Sequence, residues 1–225
     1  MNVYLEIGQK KVIAGALDWP GWNRLGRDEV SALQALFDHG PRYARALRSA
    51  RLGFRAPADI SGFQVVERLK GNATTDFGVP VMSPKVDSKP MEAAEMHRCQ
   101  ALLKACWRAF DAATAEAEGK ALTKGPRGGG RQLEAIVQHV LGSDMGYLAQ
   151  LGAKFKPDLD ADPVEQMHNL REAILQALPA AARGEFPKRG PRGGLRWLPR
   201  YYVRRSAWHV LDHVWEIEDR SSPPG

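Results

Sequence analysis

The chain has 225 residues, of which 44% are hydrophobic and 26% charged, and its formal net charge is +6. This composition excludes a wholly disordered chain, and the length suffices to bury a substantial core. No apolar run approaches the roughly 18–20 residues of a membrane span, and no secretory signal is visible. Cys99 and Cys106 lie in a helical pattern at a spacing too long for a disulfide, so we expect a protein of the reducing cytoplasm.

The first part of the chain predicts strands. Residues 3–7 alternate apolar and polar side chains, as a half-buried strand does, and residues 8–10 are typical of a turn. Residues 11–17 predict a second, more buried strand. Residues 19–22 (WPGW) then require a turn, because proline fixes φ and glycine allows positive φ.

A helix follows over residues 28–51, with acidic residues in its first turn, where the helix dipole favours them. Proline lacks a backbone donor, so we expect Gly40-Pro41 to break or kink this helix.

Residues 63–70 predict a third strand, and a proline-rich linker follows at residues 81–90. The linker divides the chain into a small α+β domain, residues 1–80, and a helical domain, residues 91–225. We therefore expect an α+β protein overall.

The helical part predicts four helices of about 20 residues joined by modest loops, which favours an up-down-up-down four-helix bundle. Asp162 is a candidate N-cap before Pro163. The predicted helices cover residues 91–118, 131–154, 163–183 and 201–220.

The last helix carries two histidines, His209 and His213, which are four residues apart and therefore share one face. Imidazoles at this spacing can bind one metal ion. Two partly buried, hydrogen-bonded histidines would show the same spacing. The pair lies beside an apolar seam, at the inner flank of the helix; the seam is Val203, Ala207, Val210, Val214 and Ile217.

His139 occupies the equivalent flank of the second helix, beside Val140. In an up-down-up-down bundle the second and fourth helices start at the same end, so His139 and His209 would lie roughly 12 Å below that end. Both glycine-rich basic loops would form a mouth there; its arginines are Arg127, Arg131, Arg189 and Arg192. They would attract an anionic substrate, or they are solvated loop residues.

These residues resemble a known family. Residues 136–140 (IVQHV), Tyr147 and the later His209-x-x-x-His213 resemble the DinB/YfiT-like superfamily of four-helix-bundle metal proteins over roughly residues 90–220. The resemblance implies that His139, His209 and His213 bind a divalent metal.

The resemblance implies a metal site more firmly than a reaction. Zinc, nickel or iron would each accept three imidazoles. Some relatives are thiol-dependent transferases or isomerases, in which the metal holds the thiol of a low-molecular-weight cofactor. A small anionic molecule is the expected substrate, and a homodimer is possible for a bundle.

Three acids and two tryptophans accompany the histidines. Glu216 shares the stripe of His213 and is the first candidate to accept its second N–H, whereas Asp212 points away and is expected to pair at the surface. Asp144 lies on the seam of its helix, where an acid needs a partner. All three acids could equally form a solvated helix face. Trp208 and Trp215 lie opposite the histidines, where we expect the N-terminal domain to cover them.

The N-terminal region has a weaker resemblance. Asp18-Trp-Pro20-Gly21 before the helix at residue 28 resembles the D-x-P-G turn of HicB-type antitoxin domains over about residues 3–50. It implies a small α+β fold and no antitoxin function, because a fold does not carry a function.

Three functions remain open from the sequence. The first is a cytoplasmic metal-dependent transferase or hydrolase. The second is a non-catalytic module whose basic loops engage an acidic partner or nucleic acid, although we find no nucleic-acid-binding motif. The third is a structural dimerisation protein.

Overall fold

The computed structural model describes residues 1–124, 130–158 and 160–221. The strands in these ranges are β1 (Asn2–Ile7), β2 (Val12–Ala16), β3 (Asn23–Gly26) and β4 (Gln64–Lys70). The helices are α1 (Glu29–Asp38), α2 (Gly40–Leu47), α3 (Ala73–Phe77), α4 (Ala93–Ala117), α5 (Leu133–Leu151), α6 (Pro163–Ala182) and α7 (Pro199–Ser221). The predicted α+β class is confirmed.

The four strands form one mixed sheet in the order β3-β2-β1-β4. β1 runs antiparallel to β2 and parallel to β4, while β2 and β3 are antiparallel. The three strands predicted from the sequence are confirmed. β3 and α3 were not predicted, because a four-residue strand and a five-residue helix are too short to show periodicity.

The predicted turn at residues 19–22 is present and brings the sheet against α7. Trp22 N donates to Trp19 O at 3.1 Å, and Gly21 has a φ of 91°, which glycine adopts without strain. A Cβ atom at Gly21 would lie 3.0 Å from Ala207 on α7, so the absent side chain also allows this close approach.

The predicted break near residue 40 is confirmed, since α1 ends at Asp38 and α2 begins at Gly40. Asp28 caps α1 by accepting from Ser31 N at 2.8 Å.

The segment predicted as a linker is packed between the sheet and α7. Buried Glu6 on β1 accepts hydrogen bonds from the backbone of Val81 and Met82. Asp87 forms a buried ion pair with Arg204 of α7, at 2.9 Å. One continuous apolar core runs through the sheet half (residues 2–77) and the helical half (residues 93–221). The division into two domains stays a prediction.

The four long helices match the predicted bounds within three residues. α7 contacts α4 and α5, and α6 contacts α5 most extensively. No helix among the described residues combines the length and apolar character needed to cross a membrane.

Contacts along α4 and α7 fix their relative direction. Arg200 pairs with Glu95, near the start of both helices. At the other end, Thr123 N, just beyond α4, donates to Arg220 O of α7 at 2.9 Å. The two helices are therefore parallel.

The middle helices run the opposite way. Trp197 N, before α7, donates to Gln150 O at the end of α5, so α5 is antiparallel to α7. Arg171 of α6 pairs with Asp111, far along α4, whereas Leu175 O accepts from Gln100, nearer its start. α6 is therefore antiparallel to α4 and parallel to α5.

The predicted up-down-up-down order is thus wrong, and the order is up-down-down-up. Because α5 and α6 run in the same direction, the end of α5 at Leu151 and the start of α6 at Pro163 lie at opposite ends of the helices. Eleven extended residues reach about 36 Å, which exceeds the roughly 30 Å of a 20-residue helix. A connection of modest length in sequence is therefore long enough for this crossover.

The buried ion pair gives a first prediction. Asp87→Ala leaves the charge of Arg204 uncompensated in the interior, so the free energy of unfolding should fall by about 3–5 kcal/mol. Urea titration at neutral pH measures this change. Arg68→Ala, which removes an exposed pair with Glu29, should leave the urea midpoint nearly unchanged. Equal midpoint shifts in both variants would contradict the role of the buried pair.

Candidate metal centre

The three predicted histidines lie together between α5 and α7. The Nε2 atoms of His139 and His209 are 3.2 Å apart. One ring nitrogen from each of His139, His209 and His213 lies within 4.8 Å of the others. His209 and His213 are buried and His139 is half-buried, so the cluster borders the surface on its α5 side. The predicted convergence of the three rings is confirmed.

The reason for this convergence differs from the one predicted. α5 and α7 are antiparallel, so the start of α5 lies beside the end of α7. His139 is six residues after Leu133, and His213 is eight residues before Ser221. At 1.5 Å per residue these positions lie about 9 and 12 Å from the same end, which brings the rings to one level.

The surroundings keep two of the imidazoles neutral. Burial, followed by the charges of His213 and His139, lowers the pKa of His209 to about 2. Burial, then His213 and Arg131, lowers the pKa of His139. A neutral imidazole presents a lone pair, which is the form that binds a metal ion.

Glu216 lies where the sequence placed it, beside His213. Its Oε2 is 2.8 Å from His213 Nδ1, and its Oε1 accepts from Arg220 at 2.6 Å. Arg220 in turn donates to Thr123 O at 2.7 Å. The hydrogen bond with His213 is the main cause of the lowered pKa of Glu216. This contact orients the ring so that Nε2 of His213 faces the other histidines.

The spacing suits a metal ion. Two imidazole nitrogens bound tetrahedrally at 2.0–2.1 Å lie about 3.3 Å apart, close to the 3.2 Å between His139 and His209. A hydrogen bond between two neutral imidazoles has a similar length, and the contact with Glu216 orients the third ring. Three imidazole nitrogens within 4.8 Å of one another are nonetheless a donor set that divalent cations accept.

The predicted mouth of four arginines is not formed. Arg131, just before α5, is near the histidines, and its charge contributes to the lowered pKa values of His139 and His209. Arg189 and Arg192 belong to the loop before α7, whose Trp197 contacts the far end of α5. They lie at the opposite end because α5 and α7 are antiparallel. Arg127 lies outside the described residues.

Other residues near the cluster were given little or no role from the sequence. The Tyr147 ring is 5.6 Å from that of His209, in an edge-on arrangement. Arg205 lies over the Tyr147 ring at 5.4 Å, and its charge helps to lower the pKa of His209. Arg205 is one turn before His209 on α7, and this i,i+4 spacing was the available signal.

Asp144 is fully buried, about one and a half turns after His139 along α5. Its Oδ1 lies 3.4 Å from Ser206 Oγ, and burial raises the pKa of the acid to about 7. The sequence suggested that this acid needed a partner. Asp212 pairs with Arg24 at 3.4 Å and is half exposed, as its outward position predicted.

The remaining histidines and the tryptophans are placed as follows. His97 and His168 are exposed. His39 packs against Trp215, with ring centroids 5.2 Å apart. Trp208 and Trp215 are buried against the sheet half, where Arg24 lies 3.8 Å above the Trp215 ring. The expected cover of this face is therefore present.

Comparison with known proteins gives no relative for this chain: no family, curated protein or solved structure matches it.

The raised pKa of Asp144 gives a prediction for metal-free protein. Between roughly pH 4 and pH 7 the unfolded state loses a proton that the folded state keeps, so this acid makes stability fall as pH rises. Asp144→Asn does not titrate. As the pH rises from 5 to 8, the difference in free energy of unfolding between Asp144→Asn and the wild type should therefore change by about 2–3 kcal/mol in favour of Asp144→Asn. Urea titrations at both pH values test this, and a pH-independent difference would contradict it.

Proposed function

We propose that the protein is a metal-dependent enzyme in which His139, His209 and His213 hold one divalent ion. The observation that carries this proposal is the convergence of three ring nitrogens within 4.8 Å, from two helices. Two of the three histidines are buried and the third is half-buried, so the cluster is accessible from one side.

Zinc, nickel and iron all accept imidazole ligands, and the three rings do not select among them. Such an ion, when bound, keeps at least one coordination position open and supplies a Lewis acid for a water molecule or a thiol. We therefore propose a transferase or hydrolase, with a low-molecular-weight thiol as a possible second cofactor.

A small anionic substrate remains our proposal, with a changed set of arginines. Arg131 and Arg205 are the cations whose charges reach the histidine cluster. An anionic group between them and the cluster would gain from both charges. Arg189 and Arg192 are too remote for this role.

The family resemblance supports the same proposal. The four helices α4 to α7, with one histidine on the second and a pair on the fourth, are what a DinB-like metal-binding bundle requires. A HicB-like origin of the sheet half, a cytoplasmic location and a homodimer also stay proposals.

Metal analysis tests the function directly. Protein purified without an affinity tag and dialysed against a divalent metal should retain about one ion per chain. His139→Ala should lose it with little effect on the core, because this side chain is only half-buried. His97→Ala and His168→Ala, at exposed positions, are matched controls that should bind the metal as the wild type does.

The variant with all three ligands replaced by alanine completes the test. Equal and negligible metal content in this variant and the wild type would overturn the proposal. If anionic ligands still bound both proteins, with an affinity that falls steeply with salt, the binding-module alternative would replace it.

Glu216 gives a further prediction. Glu216→Gln keeps an acceptor oxygen for His213 Nδ1 but removes the negative charge that makes this imidazole a stronger ligand, so it should lower metal affinity about 10–100-fold. Competition with a chromophoric chelator measures this affinity. The matched control is Glu134→Gln, an exposed glutamate in the first turn of α5, which should leave the affinity unchanged. Equal affinities for Glu216→Gln and wild type would contradict the role of Glu216.

A further inference from the structure

Three buried polar atoms between α5 and α7 find no hydrogen-bond partner within the described part of the chain. They are Asp144 Oδ2, Tyr202 Oη and His209 Nδ1. Buried polar groups in folded proteins are nearly always paired with protein or with ordered water. Each of the three has no protein partner among the described residues and is therefore a position where an ordered water is expected.

Helix geometry brings these atoms together. Ser206 lies one turn after Tyr202 and one turn before His209 on α7, and its Oγ is 3.4 Å from Asp144 Oδ1. Long side chains on a helix lean toward its N-terminus, so the ring of His209 covers the turn that contains Ser206. The carboxyl group of Asp144 is therefore at the level of α7 that the His209 ring covers.

The orientation of the His209 ring indicates which nitrogen faces inward. Its Nε2 is 3.2 Å from His139 Nε2, on the side of the proposed metal site. Nδ1 is therefore the nitrogen left for a partner in the interior. If Nε2 carries the lone pair, Nδ1 carries the proton and must donate it.

We propose that an ordered internal water accepts the Nδ1–H of His209 and donates to Asp144 Oδ2, with the hydroxyl of Tyr202 as its third partner. An internal water of this kind typically makes about three hydrogen bonds. Asp144 is then a positioning residue for His209. As a statement about a metal ligand, this inference rests on the proposed function.

The arrangement gives each histidine of α7 its own carboxyl group. His213 contacts Glu216 directly, on its own helix. His209 reaches Asp144 on α5 through the water. Both the ionised and the neutral acid contain an oxygen that accepts a hydrogen bond, so the bridge does not depend on the charge of Asp144. Its effect is to fix one tautomer of His209, with Nε2 free to bind.

The test compares Asp144→Leu, which removes the acceptor, with Asp144→Asn, which keeps an acceptor oxygen. Nitrogen-15 NMR of metal-free protein reports which ring nitrogen of His209 is protonated. The wild type and Asp144→Asn should show the Nδ1–H form. Asp144→Leu should show a mixture of tautomers or the Nε2–H form.

Two further measurements complete the design. Zinc affinity, from chelator competition, should fall about 10–100-fold in Asp144→Leu and be largely restored in Asp144→Asn. Val140→Ala, which removes buried volume from the same helix, is the control for a purely structural effect and should keep the wild-type tautomer. A high-resolution crystal structure should show the water within about 3 Å of both His209 Nδ1 and Asp144 Oδ2.

The inference is overturned if metal-free wild type carries the proton on His209 Nε2. It is also overturned if Asp144→Leu keeps the Nδ1–H form and full zinc affinity, or if no water lies between the two side chains. Because the tautomer is measured in metal-free protein, the outcome for this inference is independent of the outcome for the proposed function. An Nδ1–H form that depends on Asp144, in a protein that binds no metal, supports the inference and overturns the proposed function.

Discussion

The burial of α7 on nearly all sides is the constraint on which the structure depends. α4 and α5 pack along it, and the sheet half covers its remaining face through Trp208 and Trp215. A polar side chain on such a helix must find a partner, because an unpaired buried group costs about 1–3 kcal/mol. Arg204 meets this requirement by pairing with Asp87 and donating to a backbone oxygen of β2. Arg220 meets it by pairing with Glu216 and donating to Thr123 O. The histidine pair does so only in part.

This constraint explains why the sheet half matters to a site that it does not touch. Arg204 donates to the carbonyls of Ala16 and Leu17 at the end of β2 while it pairs with Asp87. The sheet and the segment after it are thereby joined to α7, one and a half turns before His209. The helix with the proposed ligands, α7, packs against the sheet half on one face and against α5 on another. His209 and His213 therefore face α5 without a contribution from any loop.

The sequence predicted the features that depend on local periodicity and missed those that depend on long-range direction. The i,i+4 spacing of His209 and His213 and their place beside an apolar seam pointed to the pair, and the equivalent flank of the second helix and the family resemblance added His139. Helix direction depends instead on the path of residues 152–162, and no local pattern distinguishes a crossover from a short return. The wrong helix directions placed Arg189 at the wrong end of the helices. They did not affect the predicted convergence of the histidines, because His139 lies near the level of His209 and His213 whether α5 is parallel or antiparallel to α7.

The same distinction separates the fixed part of the site from its adaptable part. The proposed ligands lie on helices whose positions are set by core packing, and such elements hold side chains more accurately than loops do. The arginine that precedes α5, Arg131, lies outside any helix, where substitutions are tolerated more readily. Asp144 belongs with the fixed part, since both it and its contact Ser206 are fully buried. For the proposed enzyme, changes in substrate preference should therefore arise at Arg131 and its surroundings, whereas changes at Asp144 should act on the proposed ligand His209.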